Sequence, residues 1–410
     1  MNRRPAVCDV PAELRLCLLC ARPASTPADV RAIEALLAAG VDWPRLTETA
    51  LWHHLGPPVF RTLVERFSSQ IPAAAFAPLK LQVERDRREM QALREELDAL
   101  LPAFAARPVL AVPYKGPALA ETLFGDVTLR TSGDLDFLID ERDLGAALDV
   151  VASRGYLYRS TLSPRQERAF RRSSGQYQIV RRDGRFTIEI HWRVAQSMMS
   201  IDLDYAGLLR RASASEGNPA LDTDDLLIVL SIHGGKEQWV RLKWVADIAW
   251  LLHIEADHDW SAARARAREQ GCERLVLVAA SVASRLFEVP LPDALAAGPR
   301  SDAIVSRLTD ALVEQLLYRR METPELWKLN RFRLAVRERW QNKVRYVLRT
   351  LFLPRPQDFA LLALPDSVFP AYYLVRAVHD YLALPIWHAA LRIAGGRSRA
   401  GSPNAALRDR

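Results

Sequence analysis

The chain has 410 residues, 49% of them hydrophobic and 26% charged, with a formal net charge of +7. This composition is that of a soluble globular protein of two or three domains, and the charge favours anionic partners such as nucleotides, nucleic acid or acidic lipid surfaces without choosing among them. Four cysteines are too few for a disulfide framework, and the N-terminus lacks the pattern of a secretory signal, so reduced thiols in the cytoplasm are expected.

Residues 1–105 read as a helical N-terminal region. Cys17 and Cys20 form a CxxC, but they lie in an apolar helical period with no second ligand pair nearby, which predicts helix core rather than zinc or redox chemistry. "DVRAIEALLAAG" and "LKLQVERDRREMQALREELDALLPAFAA" carry amphipathic periods, the second with a charged face for solvent. From about 106 to 200 the texture becomes α+β. A short run closes at Lys115-Gly116, a helix with an early proline ends at Gly125, "DLDFLID" reads as a strand, and a helix follows it to Gly155. "RRSSGQ" reads as a loop, and "QYQIVRRDGRFTIEIHW" as a hairpin turning at Asp183-Gly184. Residues 201–350 return to helices that close over the α+β block, 351–395 form an apolar aromatic helical tail, and 396–410 read as disordered. Prolines and charges interrupt the tail, which argues against a membrane span and for a buried or interfacial helix pair.

The chemistry concentrates in "TSGDLDFLID". Alternation along a strand puts Asp134, Asp136 and Leu138 on one face, with Leu135, Phe137 and Ile139 on the other. Two neighbouring carboxylates repel, and a fold gains from holding them together only when a cation neutralises them. "FTIEIHW" repeats the design, with Thr187, Glu189 and His191 on its polar face. If the two strands are neighbours, three carboxylates converge on a patch of hard oxygen ligands suited to Mg²⁺ and substrate phosphates. Lys115 and Gly116 open a helix whose free N–H groups favour an anion, and Arg130 lies within reach of a phosphate. His191 reads as a partner of Glu189 or a base or, with Trp192 beside it, as a packed strand edge, the structural reading being preferred. In "HGGKEQWVRLKW", His233, Lys236 and Arg241 face the nucleotide from the helical domain or, alternatively, His233 caps its helix before Gly234-Gly235. Asp247, a charge inside an apolar helix, is expected to pair with a buried Arg or Lys.

A glycine turn and helix, then Asp-x-Asp, then a lone acidic residue on a later strand resembles the DNA polymerase β-like nucleotidyltransferase superfamily. "YKGPALAETLFGDVTLRTSGDLDFLID", "IEIHWRV", "HGGKEQWVRLKWVADIAWLL" and "LPDSVFPAYYLVRAVHDYL" are similar to the bacterial family of uncharacterised nucleotidyltransferases. The resemblance implies that Asp134, Asp136 and Glu189 are the catalytic metal ligands and that Lys115, Gly116, Arg130 and Lys236 bind the nucleotide. It further implies Mg²⁺ as cofactor and transfer of a nucleoside monophosphate from a nucleoside triphosphate, with ATP expected, to a hydroxyl-type acceptor. That acceptor would be a small molecule or peptide, in the biosynthesis of peptide natural products or polysaccharides. Lys115-Gly116 stands where the superfamily usually has Gly-Ser, so the serine that grips a phosphate is absent. The rival readings are an accessory or binding protein that keeps the fold without turnover, and a kinase-like modifier of a peptide. The basic helices of "NRFRLAVRERWQNKVRYVLRTLFLPR" lack a groove-reading motif or stacking platform, so nucleic acid is not an expected partner and they read as a solvated face or a contact with an anionic membrane surface.

Overall fold

The computed structural model describes residues 10–213, 218–318 and 326–380, so Cys8 and the predicted disordered end lie outside the described residues. The chain divides into two compact units, Met1–Ser160 with Gly175–Tyr346, and Thr161–Ser174 with Val347–Arg410. As expected from the sequence, the fold is α+β: many helices around one small mixed sheet.

The first unit opens with α1 (Ala12–Cys20), α2 (Pro27–Ala39), α3 (Trp43–Trp52), α4 (Gly56–Phe67) and α5 (Ala73–Ala105). Thr26 starts α2 by accepting a hydrogen bond from the Asp29 N–H while the Asp29 carboxylate accepts one from the Thr26 N–H, with Pro27 at the first helical position. Cys17 and Cys20 are buried free thiols in α1, as the apolar period predicts. Burial pushes both thiols up, away from the reactive thiolate. The long α5 buries Phe76, Leu79, Val83, Met90, Leu93 and Leu97, and turns Arg85, Arg88 and Glu89 to solvent.

The sheet consists of β1 (Val112–Pro113), β2 (Leu135–Leu138), β3 (Tyr156–Leu157), β4 (Gln176–Arg181) and β5 (Thr187–His191), in the order β1-β2-β5-β4-β3. Helix α6 (Gly116–Phe124) connects β1 to β2, and α7 (Leu144–Ser153) connects β2 to β3. Only β2 and β5 run parallel, and their register sets Asp136 opposite Glu189. The apolar face of β2 is anchored by Phe137, whose ring lies 5.1 Å from that of Phe104 in α5. Strands β4 and β5 form the hairpin predicted at Asp183-Gly184, with Gly184 at φ 72°.

Helices α9 (Tyr205–Ser213), α10 (Thr223–Lys236), α11 (Leu242–Ile254), α12 (Ser261–Glu269), α13 (Glu273–Phe287), α14 (Asp293–Ser301), α15 (Ala303–Tyr318) and α16 (Leu326–Ala335) complete the first unit, with the start of α17 (Trp340–Phe352). A continuous apolar core joins α1, α3 and α4 to α10, α11 and α13. The second unit contains α8 (Pro164–Ser174), the end of α17, α18 (Pro356–Leu361) and α19 (Tyr372–Val378), packed around Ala169, Phe359 and Tyr372. "RRSSGQ", predicted as a loop, is instead the last turn of α8 and the entry to β4: its serines continue the helix, and Gly175 at φ 85° ends it. Among the described residues, no helix is long and apolar enough to cross a membrane.

Two fully enclosed charges tie the sheet to the helices. Arg130, just before β2, donates Nε and Nη2 to the two carboxylate oxygens of Asp247 in α11, at 2.8 and 3.0 Å, and neither side chain is more than 4% exposed. Removing one partner of such a pair strands a buried charge, at a cost of about 3–5 kcal/mol, whereas replacing both by apolar residues is far milder. Arg130→Met is therefore expected to lower the midpoint of denaturant unfolding sharply, and Arg130→Met with Asp247→Leu to recover most of the loss. Equal midpoints for the single and double variants would show that the pair is not a mutual anchor.

Candidate active site

β2 and β5 bring the predicted carboxylates together because both strands alternate in phase. Asp136 lies in the middle of β2, fully buried, and Glu189 stands at its register partner in β5, with its side chain 15% exposed. β2 begins only at Leu135, so Asp134 sits in the bend entering the strand instead of on it, and its Oδ1 accepts a 3.0 Å hydrogen bond from the Ser132 hydroxyl. Gly116, at φ 61°, lies close to the Asp134 carbonyl: a Cβ added there would stand 3.0 Å from it.

His191, read from the sequence as a packed edge, lies between the two strand carboxylates. Its Nε2 is 3.0 Å from Asp136 Oδ1 and 3.1 Å from Glu189 Oε2, and the Tyr114 ring meets it edge-on at 5.3 Å. Asp136 Oδ1 also pairs with the Lys115 ammonium. Burial alone would raise the Asp136 carboxyl, but Lys115 and His191 outweigh it and hold the group well below the usual carboxylate range. Asp134 goes the other way: burial, then the charge of Asp136, raise it against the pull of Lys115. The strand thus carries a carboxylate held ionised, and the bend before it one whose ionisation is disfavoured.

The donor set fits a divalent cation. Ligand atoms of Asp136, Glu189 and His191 lie within 4.8 Å of one another, and Asp136 Oδ2 is buried without a hydrogen-bond partner while Oδ1 is already engaged. Such an orphaned anionic oxygen is what a metal or a further donor would satisfy. Asp134 stands beside this group of three and not within it. The sequence signal for His191 was present, since it shares the polar face of β5 with Glu189, but the neighbouring Trp192 masked it.

The other predicted residues separate. Lys115 precedes the first residue of α6, with its ammonium at Asp136. Arg130 is committed to Asp247, which explains the helix-interior aspartate as the sequence predicts. Lys236 ends α10, 3.9 Å from Glu237 and partly exposed. Gly234-Gly235 do not end a helix before Lys236, as a cap would require: they lie inside α10, and the indole of Trp239 fills the space a Cβ would need, 2.2 Å from the position at Gly234. His233 is half-buried, with its ring edge-on to Trp244 at 5.7 Å. Burial, then Lys115 and Lys236, press its imidazole well below its ordinary value, so it is neutral at pH 7. Arg241 lies over the Trp52 ring at 3.6 Å.

Lys243, in the first turn of α11, escaped the sequence reading. Its Nζ donates to the Thr131 carbonyl at 3.3 Å, and among the described residues no carboxylate pairs with it. Burial, then Arg130, lower its ammonium to about 8.

The sequence model of the family described as "Uncharacterised nucleotidyltransferase" matches residues 39–288, well over half of the chain. The chain belongs to that family and is a nucleotidyltransferase. No curated protein and no solved structure matches it.

Because the Lys243 pKa is lower folded than its ordinary 10.5, the charged ammonium costs stability in full below pH about 8, and the cost fades as the pH climbs toward 10.5. Lys243→Met is accordingly expected to raise Tm at pH 7, with a gain on the order of 2 kcal/mol, and to match wild type near pH 10.5. A variant less stable than wild type at pH 7 would contradict this electrostatic reading.

Proposed function

We propose that this nucleotidyltransferase has the DNA polymerase β-like fold, uses Mg²⁺, and moves a nucleoside monophosphate from a nucleoside triphosphate such as ATP to a hydroxyl-type acceptor. The observation that carries the reading is the parallel register of Asp136 with Glu189, with Asp134 at the strand entrance and an unpartnered oxygen on Asp136. Carboxylate oxygens are the ligands Mg²⁺ prefers, and when bound it would neutralise the phosphates and steady the attacking and leaving oxygens.

Asp134, Asp136 and Glu189 would hold the cation, with His191 as a fourth donor or as the spacer that keeps the strand carboxylates apart. Asp136, buried and ionised, is the fixed member. Glu189 is the more accessible one, and would orient the acceptor hydroxyl and take its proton. Lys115 and the free N–H groups opening α6 offer the seat for the leaving phosphates, next to Asp134 through the close approach at Gly116. Lys236 would support the same phosphates from α10. The catalytic work is then positioning and charge neutralisation, as phosphoryl-group chemistry requires.

The test is nucleotide binding and turnover in Glu189→Gln, whose partly exposed side chain leaves the core intact. Wild type should bind labelled ATP in Mg²⁺ and lose it in EDTA. Given a metabolite extract as a source of acceptors, it should release pyrophosphate and leave a product heavier by a nucleotide. Glu189→Gln should release pyrophosphate at least 100-fold more slowly with an unchanged Tm. A wild-type rate in that variant sinks the site assignment, and a product heavier by phosphate alone refutes the reaction.

A further inference from the structure

We infer that a groove along α5 seats the acceptor through a compact oxyanion that the acceptor carries, phosphate or carboxylate, and that Lys243 is the residue that neutralises it. This rests on the nucleotidyltransfer reading for its meaning, but the groove is a separate feature. Two cavities, of about 280 and 370 Å³, share Glu89, Ser132 and Gly133 and so flank the turn that leads into Asp134. Together they have the size of a small-molecule site. One is walled by Leu51, His54, Gln82, Asp86, Thr131 and Lys243, and the other by Arg85, Arg88, Leu93, Arg185 and Phe186.

Lys243 is the informative member. Among the described residues its ammonium donates only to a backbone carbonyl, and the two carboxylates that attract it do not pair with it: Asp247 is taken by Arg130, and Asp134 accepts from Ser132. A buried charge left without a counterion is unfavourable, and an oxyanion entering from the cavity would supply one. His54, held at φ 55°, brings its Nδ1 to 3.4 Å from the Thr131 hydroxyl on the same wall. The positive charges of Lys243 and Arg241 beside it disfavour the imidazolium, so it offers hydrogen bonding without added charge.

The rest of the lining narrows the ligand. Arg85, Arg88 and Arg185 add positive charge at the far end, whereas Asp86 and Glu89 lie on the wall between and oppose a polyanion. A free triphosphate or a nucleic-acid strand fits that pattern poorly, and a molecule with one oxyanion and neighbouring hydroxyls fits it well. The location agrees: the groove lines Thr131–Gly133, the Lys115-Gly116 turn touches Asp134, and the two seats meet at the residue between them.

Calorimetric titration of the full chain with inorganic phosphate, and in a second arm with glycolate, tests the assignment, each with and without saturating α,β-methylene ATP and Mg²⁺. The expected result is that one of the two anions binds whether or not the nucleotide analogue is present. Lys243→Ala and Lys243→Met should each weaken that binding at least tenfold, leaving the analogue's affinity within twofold and the far-ultraviolet circular dichroism unchanged. Arg185→Ala, on the exposed hairpin, should weaken it less. The arm that responds identifies the oxyanion. Competition between anion and analogue, or loss of analogue affinity in the Lys243 variants, would overturn the inference by assigning Lys243 to the nucleotide. Absence of binding by either anion, or binding indifferent to Lys243, would overturn it outright. Failure of the analogue itself to bind would count against the nucleotidyltransfer reading alone, since Lys243-dependent anion binding is read equally well without it.

Discussion

Everything at the candidate site depends on the parallel pairing of β2 with β5. Side chains alternate along a strand, so a register slip of one residue would send Glu189 to the face opposite Asp136. The register is held from the apolar side, where Leu135 pairs with Ile188 and Phe137 with Ile190, all buried, with Phe137 packed against Phe104. The same pairing that buries four apolar side chains therefore brings two carboxylates side by side. Their repulsion is offset locally: Lys115 reaches Asp136 from the turn before α6, and the His191 ring stands between Asp136 and Glu189.

The surrounding cations differ in how far they are neutralised, and this separates scaffold from site. Arg130 has a bidentate partner in Asp247, and both are almost wholly enclosed, so the pair acts as a rigid link between the β2 entrance and α11. Lys115 shares a carboxylate that already has a second partner. Lys243, two residues into α11, has a carbonyl oxygen and, among the described residues, no paired carboxylate. A fold that needed only stability would place an apolar side chain there, because desolvating an unpaired ammonium is costly. Arg130 and Lys243, which repel each other, thus differ sharply in how far they are neutralised.

Much of this arrangement was legible in the sequence because it rests on short periods. Alternation in "DLDFLID" and "FTIEIHW" marked both strands and their polar faces, Asp183-Gly184 marked the hairpin, and Lys115-Gly116 marked the turn before α6. A charge amid "WVADIAWLL" implied a buried basic partner, though only the fold could show that this partner was Arg130, 117 positions away. What stayed hidden depends on long-range packing. Nothing local to "RLKW" distinguishes Lys243 from Arg241, yet one ammonium faces a cavity and the other cation lies on the Trp52 ring. His191 was obscured for a related reason: its neighbour Trp192 does pack, but on the opposite face of the strand.

Glycine shows the same limit from another direction. Gly116 and the Gly234-Gly235 pair all read as signals near a nucleotide, and they answer to different constraints. Gly116 adopts a left-handed backbone and lies against the Asp134 carbonyl, so a side chain there would both strain the turn and push the turn away from the acidic residues. Gly234 and Gly235 have ordinary helical geometry, and are small because the Trp239 indole, and Leu275 at the second position, occupy the space where side chains would stand. Trp239 is itself wholly buried and reaches Phe332 on α16, so the glycine pair serves the helical core that carries α10, and through it the position of His233 and Lys236 relative to Lys115. A glycine beside a charged residue thus points to ligand chemistry only when its backbone conformation or its contacts lie at the site. By that criterion Gly116 belongs to the candidate site and the Gly234-Gly235 pair belongs to the scaffold behind it.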